Sequence, residues 1–271
     1  MRHHISSSRH LIERGLGERT IPYGFTFLLF LSLPACAETP PASPDTDPAL
    51  AVFALEQRLN DAVQVSFFVS INETTAEEPE LTRLDSEFSF GPDDRVRIES
   101  TGEVYGLTAT PSMVSNGTEM TGGRNGIEGG FADFSGEPVP RGLRSDITGS
   151  ILRWGAYRTL KQLVQGLPPI GMVEEETDFE PGDPQAHAAL ENASWGLPET
   201  FDGTPVRPLT FSIPHPVASE VAATLWLSIE TGLPVRQAVR LTFDESERIT
   251  EEIYTGWSFE AGPSNTFSLP E

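Results

Sequence analysis

The chain has 271 residues and 38% of them are hydrophobic, which supplies an ordinary core and argues against wholesale disorder. Eighteen Lys and Arg face 40 Asp and Glu, a formal net charge of −22; so acidic a surface repels phosphate backbones and broad anionic membrane surfaces, and no nucleic-acid partner is expected. The single cysteine, Cys36, excludes an internal disulfide, a zinc–thiolate cluster or a cysteine nucleophile anywhere after it.

Residues 1–20 are polar and basic, and residues 23–33 form an apolar run. At ~11 residues that run is too short for a bilayer, which takes about 20 helical residues, but it fits the core of a secretory signal. It ends in Leu33-Pro34-Ala35-Cys36, which resembles a bacterial lipobox, whose cysteine thiol is acylated and becomes the new N-terminus. Two other readings stay open. Ala35-Cys36-Ala37 is also an A-x-A cleavage site that would release a soluble protein starting at Glu38, and Cys36 could be a plain free thiol. Residues 1–36 are read as a signal peptide, with Cys36 as the lipidation site holding the protein at the periplasmic face of the envelope. Ala37 behind the cysteine favours the outer membrane by analogy with enteric bacteria. Residues 37–47 are rich in Pro, Ser and Thr and read as a tether. Removing residues 1–36 leaves 14 basic and 38 acidic groups, a net of −24.

Asp47-Pro48 reads as an N-cap and first helical residue, and Leu50, Phe53, Ala54, Leu55, Arg58 and Leu59 give a short amphipathic helix to about Asp61. From Val63 the apolar period falls to two: Val65, Phe67, Val69 and Ile71, then Leu84, Ser86, Phe88 and Phe90, then Val96 and Ile98. Residues 104–109 and 112–115 continue the meander, with Asn116-Gly117 as a hairpin turn. Residues 121–145 are glycine-rich and read as an irregular surface loop; they lack the lysine a phosphate loop requires. A long helix is expected over residues 146–165, closed by Gly166 and Pro168. Its stripe of Ile147, Ile151, Trp154, Tyr157, Leu160, Leu163 and Val164 fits either a core helix or a lid over an apolar cavity. The acidic stretch 173–184 reads as a solvated loop, without the ligand order of a calcium site. Leu209-Phe211-Ile213, then Val221, Ala223, Leu225, Leu227 and Ile229, alternate again. Val235, Val239, Leu241 and Phe243 run back, and Ile253, Thr255, Trp257 and Phe259 form a last strand. The expected fold is mainly β: one strongly curved antiparallel sheet, an incomplete barrel of roughly nine to eleven strands with two main helices on its concave side.

Reactive chemistry is sparse. After residue 36 the only histidines are His187 and His215, and Lys161 is the only lysine. H-E-x-x-H and G-x-S-x-G are absent, and a serine–lysine pair fails because position 158 is Arg158. The chain is therefore read as non-enzymatic and without a cofactor, a paired-carboxylate hydrolase being the one catalytic type its residues leave open.

The order of helix, curved strands and turns is similar to that of the outer-membrane lipoprotein carriers, the LolA/LolB-like superfamily. The stretch from Phe90-Gly91-Pro92-Asp93-Asp94-Arg95 to Glu99 resembles the "rPdrfR" strand end of that superfamily. Asn116-Gly117 resembles its "sdG" hairpin, Glu230-Thr231-Gly232-Leu233-Pro234 its "tglP" turn, and Tyr254–Trp257 and Phe267–Pro270 its closing strands. The likeness runs over residues 48–271, with 121–200 unmatched. It implies a bent sheet closed by helices around a hollow for acyl chains, and a partner that is a lipid or an acylated protein. A tethered version would act as an anchored acceptor and not as a shuttle. By alternation the candidate lining residues are Phe67, Phe88, Trp154, Leu225, Leu227 and Phe243. The same fold with a filled core, serving as a scaffold, is the alternative.

Overall fold

A computed structural model describes residues 47–78, 80–124, 134–169, 190–244 and 246–270. The signal-peptide and Cys36 readings, nearly all of the tether, the acidic stretch and His187 lie outside the described residues.

Helix α1 (Pro48–Asp61) starts as its sequence signals: Pro48 takes the first turn, and the Asp47 carboxylate accepts the backbone N–H of Ala49 at 2.9 Å and of Leu50 at 3.3 Å. Its buried face is Ala51, Val52, Leu55, Glu56 and Leu59. The expected anchor Leu50 is 61% exposed, because the capping turn holds it on the outer side.

Seven strands follow: β1 (Val65–Thr75), β2 (Thr82–Phe90), β3 (Arg95–Val104), β4 (Leu107–Ala109), β5 (Ser112–Asn116), β6 (Glu119–Gly123) and β7 (Phe134–Pro138). The last two fall at the start and in the middle of the glycine-rich stretch 121–145 expected to be irregular, where Gly122 faces the Phe134 ring too closely to carry a side chain. After the helices come β8 (Glu191–Trp195), β9 (Glu199–Phe201), β10 (Thr204–Ser212), β11 (Glu220–Ser228), β12 (Pro234–Thr242) and β13 (Glu247–Ser258). All pair antiparallel into one 13-stranded sheet ordered β7-β6-β5-β3-β2-β1-β13-β12-β11-β10-β8, with β4 on β3 and β9 on β10. The first strand pairs with the last, and the end strands do not meet, so the sheet is open. The strands beyond the expected number are pieces of three to five residues, too short to declare themselves by alternation.

One face of this sheet is apolar. Val65, Phe67, Val69 and Ile71 of β1, Leu84, Phe88 and Phe90 of β2, Met113 of β5, Leu209 and Phe211 of β10, and Val221, Ala223, Leu225 and Leu227 of β11 join the helices in a single core. Residues from both halves of the sheet touch that one core, which requires the sheet to bend around the helices.

Two departures from the expected pattern shape the inner face. The long helix is broken: α2 (Leu143–Trp154) and α3 (Ala156–Val164) meet at Gly155, whose φ of +85° favours glycine. On β13 the expected phase is reversed, since Thr250, Glu252 and Tyr254 point inward and Ile253 points out, 43% exposed. The register against β1 slips by one residue between Ser66↔Ser258 and Phe68↔Thr255, and Gly256 there has φ +64°. This bulge returns Trp257 to the inner face beside Tyr254.

Candidate functional site

The six predicted lining residues divide into two groups. Phe67 and Phe88 stack at 5.2 Å between centroids, and Phe67 also meets Phe90 at 6.0 Å, Tyr254 at 5.9 Å and Trp257 at 4.3 Å. Offset ring contacts at these distances are close packing. Leu225 and Leu227 are likewise buried in the core. These four are core residues in this structure. Trp154 and Phe243 are brought together in a cleft of about 220 Å3 beside α3, over the β12 and β13 end of the inner face.

The break at Gly155 positions this cleft. Glu252, fully buried on β13, receives the free N-terminus of α3: its carboxylate accepts the N–H of Ala156 at 2.8 Å and of Tyr157 at 2.8 Å, plus the Tyr254 hydroxyl. Those orphan donors of a helix start would otherwise be buried without partners. A Cβ on Gly155 would collide with the same carboxylate. Gln237 secures the other side of the break, donating to the carbonyls of Leu152 at 3.4 Å and Arg153 at 3.3 Å, and its Oε1 lies 3.1 Å from the Tyr254 hydroxyl. Burial pushes the Glu252 carboxyl above its ordinary range, against the opposing pull of its three hydrogen bonds, and burial beside Glu252 raises the Tyr254 hydroxyl.

A second polar cluster forms the cleft floor. The hydroxyls of Tyr157 at 2.8 Å and Thr82 at 3.1 Å both donate to Glu73 Oε2, while Arg248 stands 3.9 Å from Glu73 Oε1. Burial, then the Glu73 charge, raises the Tyr157 hydroxyl and keeps it protonated.

The walls combine apolar and cationic groups. Trp154, Tyr157, Val239, Leu241 and Phe243 supply the apolar surface, and Arg158, Lys161 and His215 stand beside them. The Arg158 guanidinium lies 4.4 Å from the Trp154 ring centroid, within cation–π range, and burial lowers its pKa. His215 Nδ1 accepts two turn N–H groups, Val217 at 3.1 Å and Ala218 at 2.8 Å, so its proton sits on Nε2. Burial, then the nearby Arg158 charge, lowers its pKa and keeps it neutral. Trp154 is 8% exposed, and its indole N–H has no acceptor among the described residues.

Of the six residues expected to line a hollow, Trp154 and Phe243 border this cleft; Arg158, Lys161, Arg248 and Glu73, which also border it, and Glu252 behind it were not among those expected. Gly155, inside the helical window, was the available signal for the break. A larger hollow of about 300 Å3, lined by Phe68, Asp85, Glu87 and Glu99, is an open dip on the outer face. Among the described residues no group of three or more His, Cys, Asp or Glu is placed to hold a metal ion, and no helix is long and apolar enough to cross a membrane.

No protein-family profile matches this chain. No curated protein sequence matches it either. Solved structures similar to it include LprF from Mycobacterium bovis, with 11% identity over 84% of this chain and 100% of that one and a TM-score of 0.45. The Mycobacterium tuberculosis lipoprotein LppX is similar at 15% identity, 80% and 99% coverage and a TM-score of 0.43. A LolA superfamily protein from Nitrosomonas europaea is similar at 8% identity, 83% and 99% coverage and a TM-score of 0.33.

Proposed function

We propose that the protein binds a hydrophobic ligand, a lipid or the acyl chain of an acylated protein, in the cleft beside α3, while lipid on Cys36 tethers it at the periplasmic face of the envelope. No bond is broken. The observation that carries this reading is the apolar wall of Trp154, Tyr157, Val239, Leu241 and Phe243 around about 220 Å3 of space beside a closely packed core. That volume is below the ~300–1,000 Å3 usual for drug-sized ligands, so the cleft suits the end of one chain and not a whole multi-acyl lipid. Burying ~6 methylenes contributes about 5 kcal/mol before ordering costs, a dissociation constant on the order of 0.2 mM from the chain alone.

Delipidated protein titrated with a labelled fatty acid or lipopeptide tests the cleft. Saturable binding is expected, abolished by Leu241→Trp, which fills the space; binding unaffected by that change, or none at all, refutes it. For the tether, the intact mass of membrane-extracted protein should equal that of the chain from Cys36 onward plus the mass of a lipid, and Cys36→Ser should abolish both the cleavage before residue 36 and the added lipid mass. A second reading, a scaffold with a solid core, is favoured by the close aromatic stack around Phe67. It predicts no ligand and unchanged partner capture in Leu241→Trp.

A further inference from the structure

The charge balance of the cleft is opposite to that of the chain. Of the 14 basic side chains after residue 36, Arg158, Lys161 and Arg248 line this one small space, against the single carboxylate of Glu73. Arg248 answers Glu73 at 3.9 Å. Among the described residues no carboxylate lies within ion-pair distance of Arg158 or Lys161, in a protein with more than twice as many acidic as basic groups. Among those residues the Arg158 guanidinium is held only by its stack on Trp154. Exposed cations are solvated by water; a half-buried guanidinium gives up hydration that a stack on one ring offsets only in part, and an anion would offset the rest.

A neighbouring donor points the same way. His215 spends Nδ1 on the turn N–H groups of Val217 and Ala218, which leaves Nε2–H as a further donor in the cleft wall. Two cations and an imidazole N–H therefore share one space, beside the apolar run of Val239, Leu241 and Phe243.

We propose that the cleft recognises an anionic single-chain amphiphile: an oxyanion head, carboxylate or phosphate, meets Arg158 and Lys161, and its alkyl chain lies along Val239, Leu241 and Phe243. This rests on the hydrophobic-ligand reading and adds the head group to it. The guanidinium and ammonium donate to oxygen in a way an alcohol or ester cannot repay with charge. The acidic remainder of the surface keeps anionic bilayers at a distance, so the recognised species is a single molecule and not a membrane face.

Delipidated protein is titrated, by calorimetry and Trp fluorescence, with dodecanoate, dodecyl phosphate, dodecanol and inorganic phosphate. The two anionic amphiphiles should bind at least tenfold more tightly than dodecanol, and high salt should narrow that ratio without changing dodecanol binding. Arg158→Gln/Lys161→Gln should erase the ratio between the anionic amphiphiles and dodecanol, and an unchanged ratio in this variant overturns the assignment of the head group to these two cations. Equal binding of dodecanol and dodecanoate by the parent protein, a comparison that needs no variant, overturns the head-group assignment and leaves the hydrophobic-ligand reading standing. Inorganic phosphate binding as tightly as dodecyl phosphate overturns the part assigned to the alkyl chain. Failure of every amphiphile to bind overturns both.

Discussion

The inner face of the sheet has two ends built on opposite principles. Near the start of β1, Phe67, Phe88, Phe90, Tyr254 and Trp257 fill space ring against ring. Further along the same alternation of β1 the inward residue is Glu73, and across on β13 it is Glu252, each buried and bonded to several donors. The aromatic end depends on volume, so its residues are replaceable by others of similar size. The polar end depends on partners, because each buried N–H, hydroxyl and carboxylate needs the other, and size does not substitute. The cleft opens at the polar end, where a helix has been broken and its start handed to a strand carboxylate.

The largest effects should separate the ends by whether volume rescues them. Phe67→Ala is expected to cost about 3–5 kcal/mol in urea unfolding, and Phe67→Leu markedly less, since much of the cavity is refilled. Glu252→Ala should cost a similar ~3–5 kcal/mol, but Glu252→Leu should recover little, because the N–H groups of Ala156 and Tyr157 stay unpartnered in both. Equal rescue at the two sites would abolish the distinction. Gly155→Ala comes next, at about 2–3 kcal/mol, from its φ of +85° and the collision with Glu252.

The same contrast explains what could be read from the sequence. The aromatic end, β1 to β3, and β10 and β11 declared themselves through alternation, as did the stripe of α2 and α3, because apolar burial is periodic. The open single sheet followed from those strands. Phase on β13 did not follow: Ile253 and Thr255 outscore Thr250 and Glu252 in hydrophobicity, and the bulge at Gly256 that reverses the choice is visible only as one glycine in a strand. Of the six residues expected to line a ligand, five lie in the buried core and Phe243 packs against it, since alternation reports burial and cannot distinguish a filled interior from a hollow. The cations of the cleft were not found because Arg158, Lys161 and Arg248 come from two distant segments, and nothing local marks them as neighbours.

A smaller effect tests the polar principle where it is unsatisfied. Asp146 on α2 is buried, with Oδ1 unpartnered among the described residues, and burial, then the charges of Asp94 and Glu56, raise its carboxyl to about 6. A carboxyl raised in the folded state binds its proton more tightly there than in the unfolded chain. Its contribution to stability is therefore greatest at pH below about 4 and declines as pH rises to about 6, after which the loss is complete. Asp146→Asn should stabilise the protein above pH 6 by on the order of 1–2 kcal/mol, less than full conversion of the shift gives because water reaches part of the carboxylate. The difference between variant and parent should shrink as pH falls from 6 to 4. A difference independent of pH would remove the electrostatic account.

The smallest effects belong to the outer face, where neither volume nor satisfaction decides. Arg236 and Glu251 pair at 2.6 Å across β12 and β13, with side chains 28% and 48% exposed. Water competes for both groups, so Glu251→Ala should change stability by less than about 0.5 kcal/mol and lose even that in high salt. Arg236→Ala should cost more, about 1 kcal/mol, because its guanidinium also covers the Trp226 ring at 4.5 Å and the Phe201 ring at 5.4 Å. If the two substitutions prove equal and vanish together in salt, the ring contacts contribute nothing and the outer face is held by backbone pairing alone. If Arg236→Ala keeps its cost in salt while Glu251→Ala loses it, stacking survives screening where the ion pair does not. That is the behaviour expected of the Arg158–Trp154 contact in the cleft, where, among the described residues, no carboxylate shares the guanidinium.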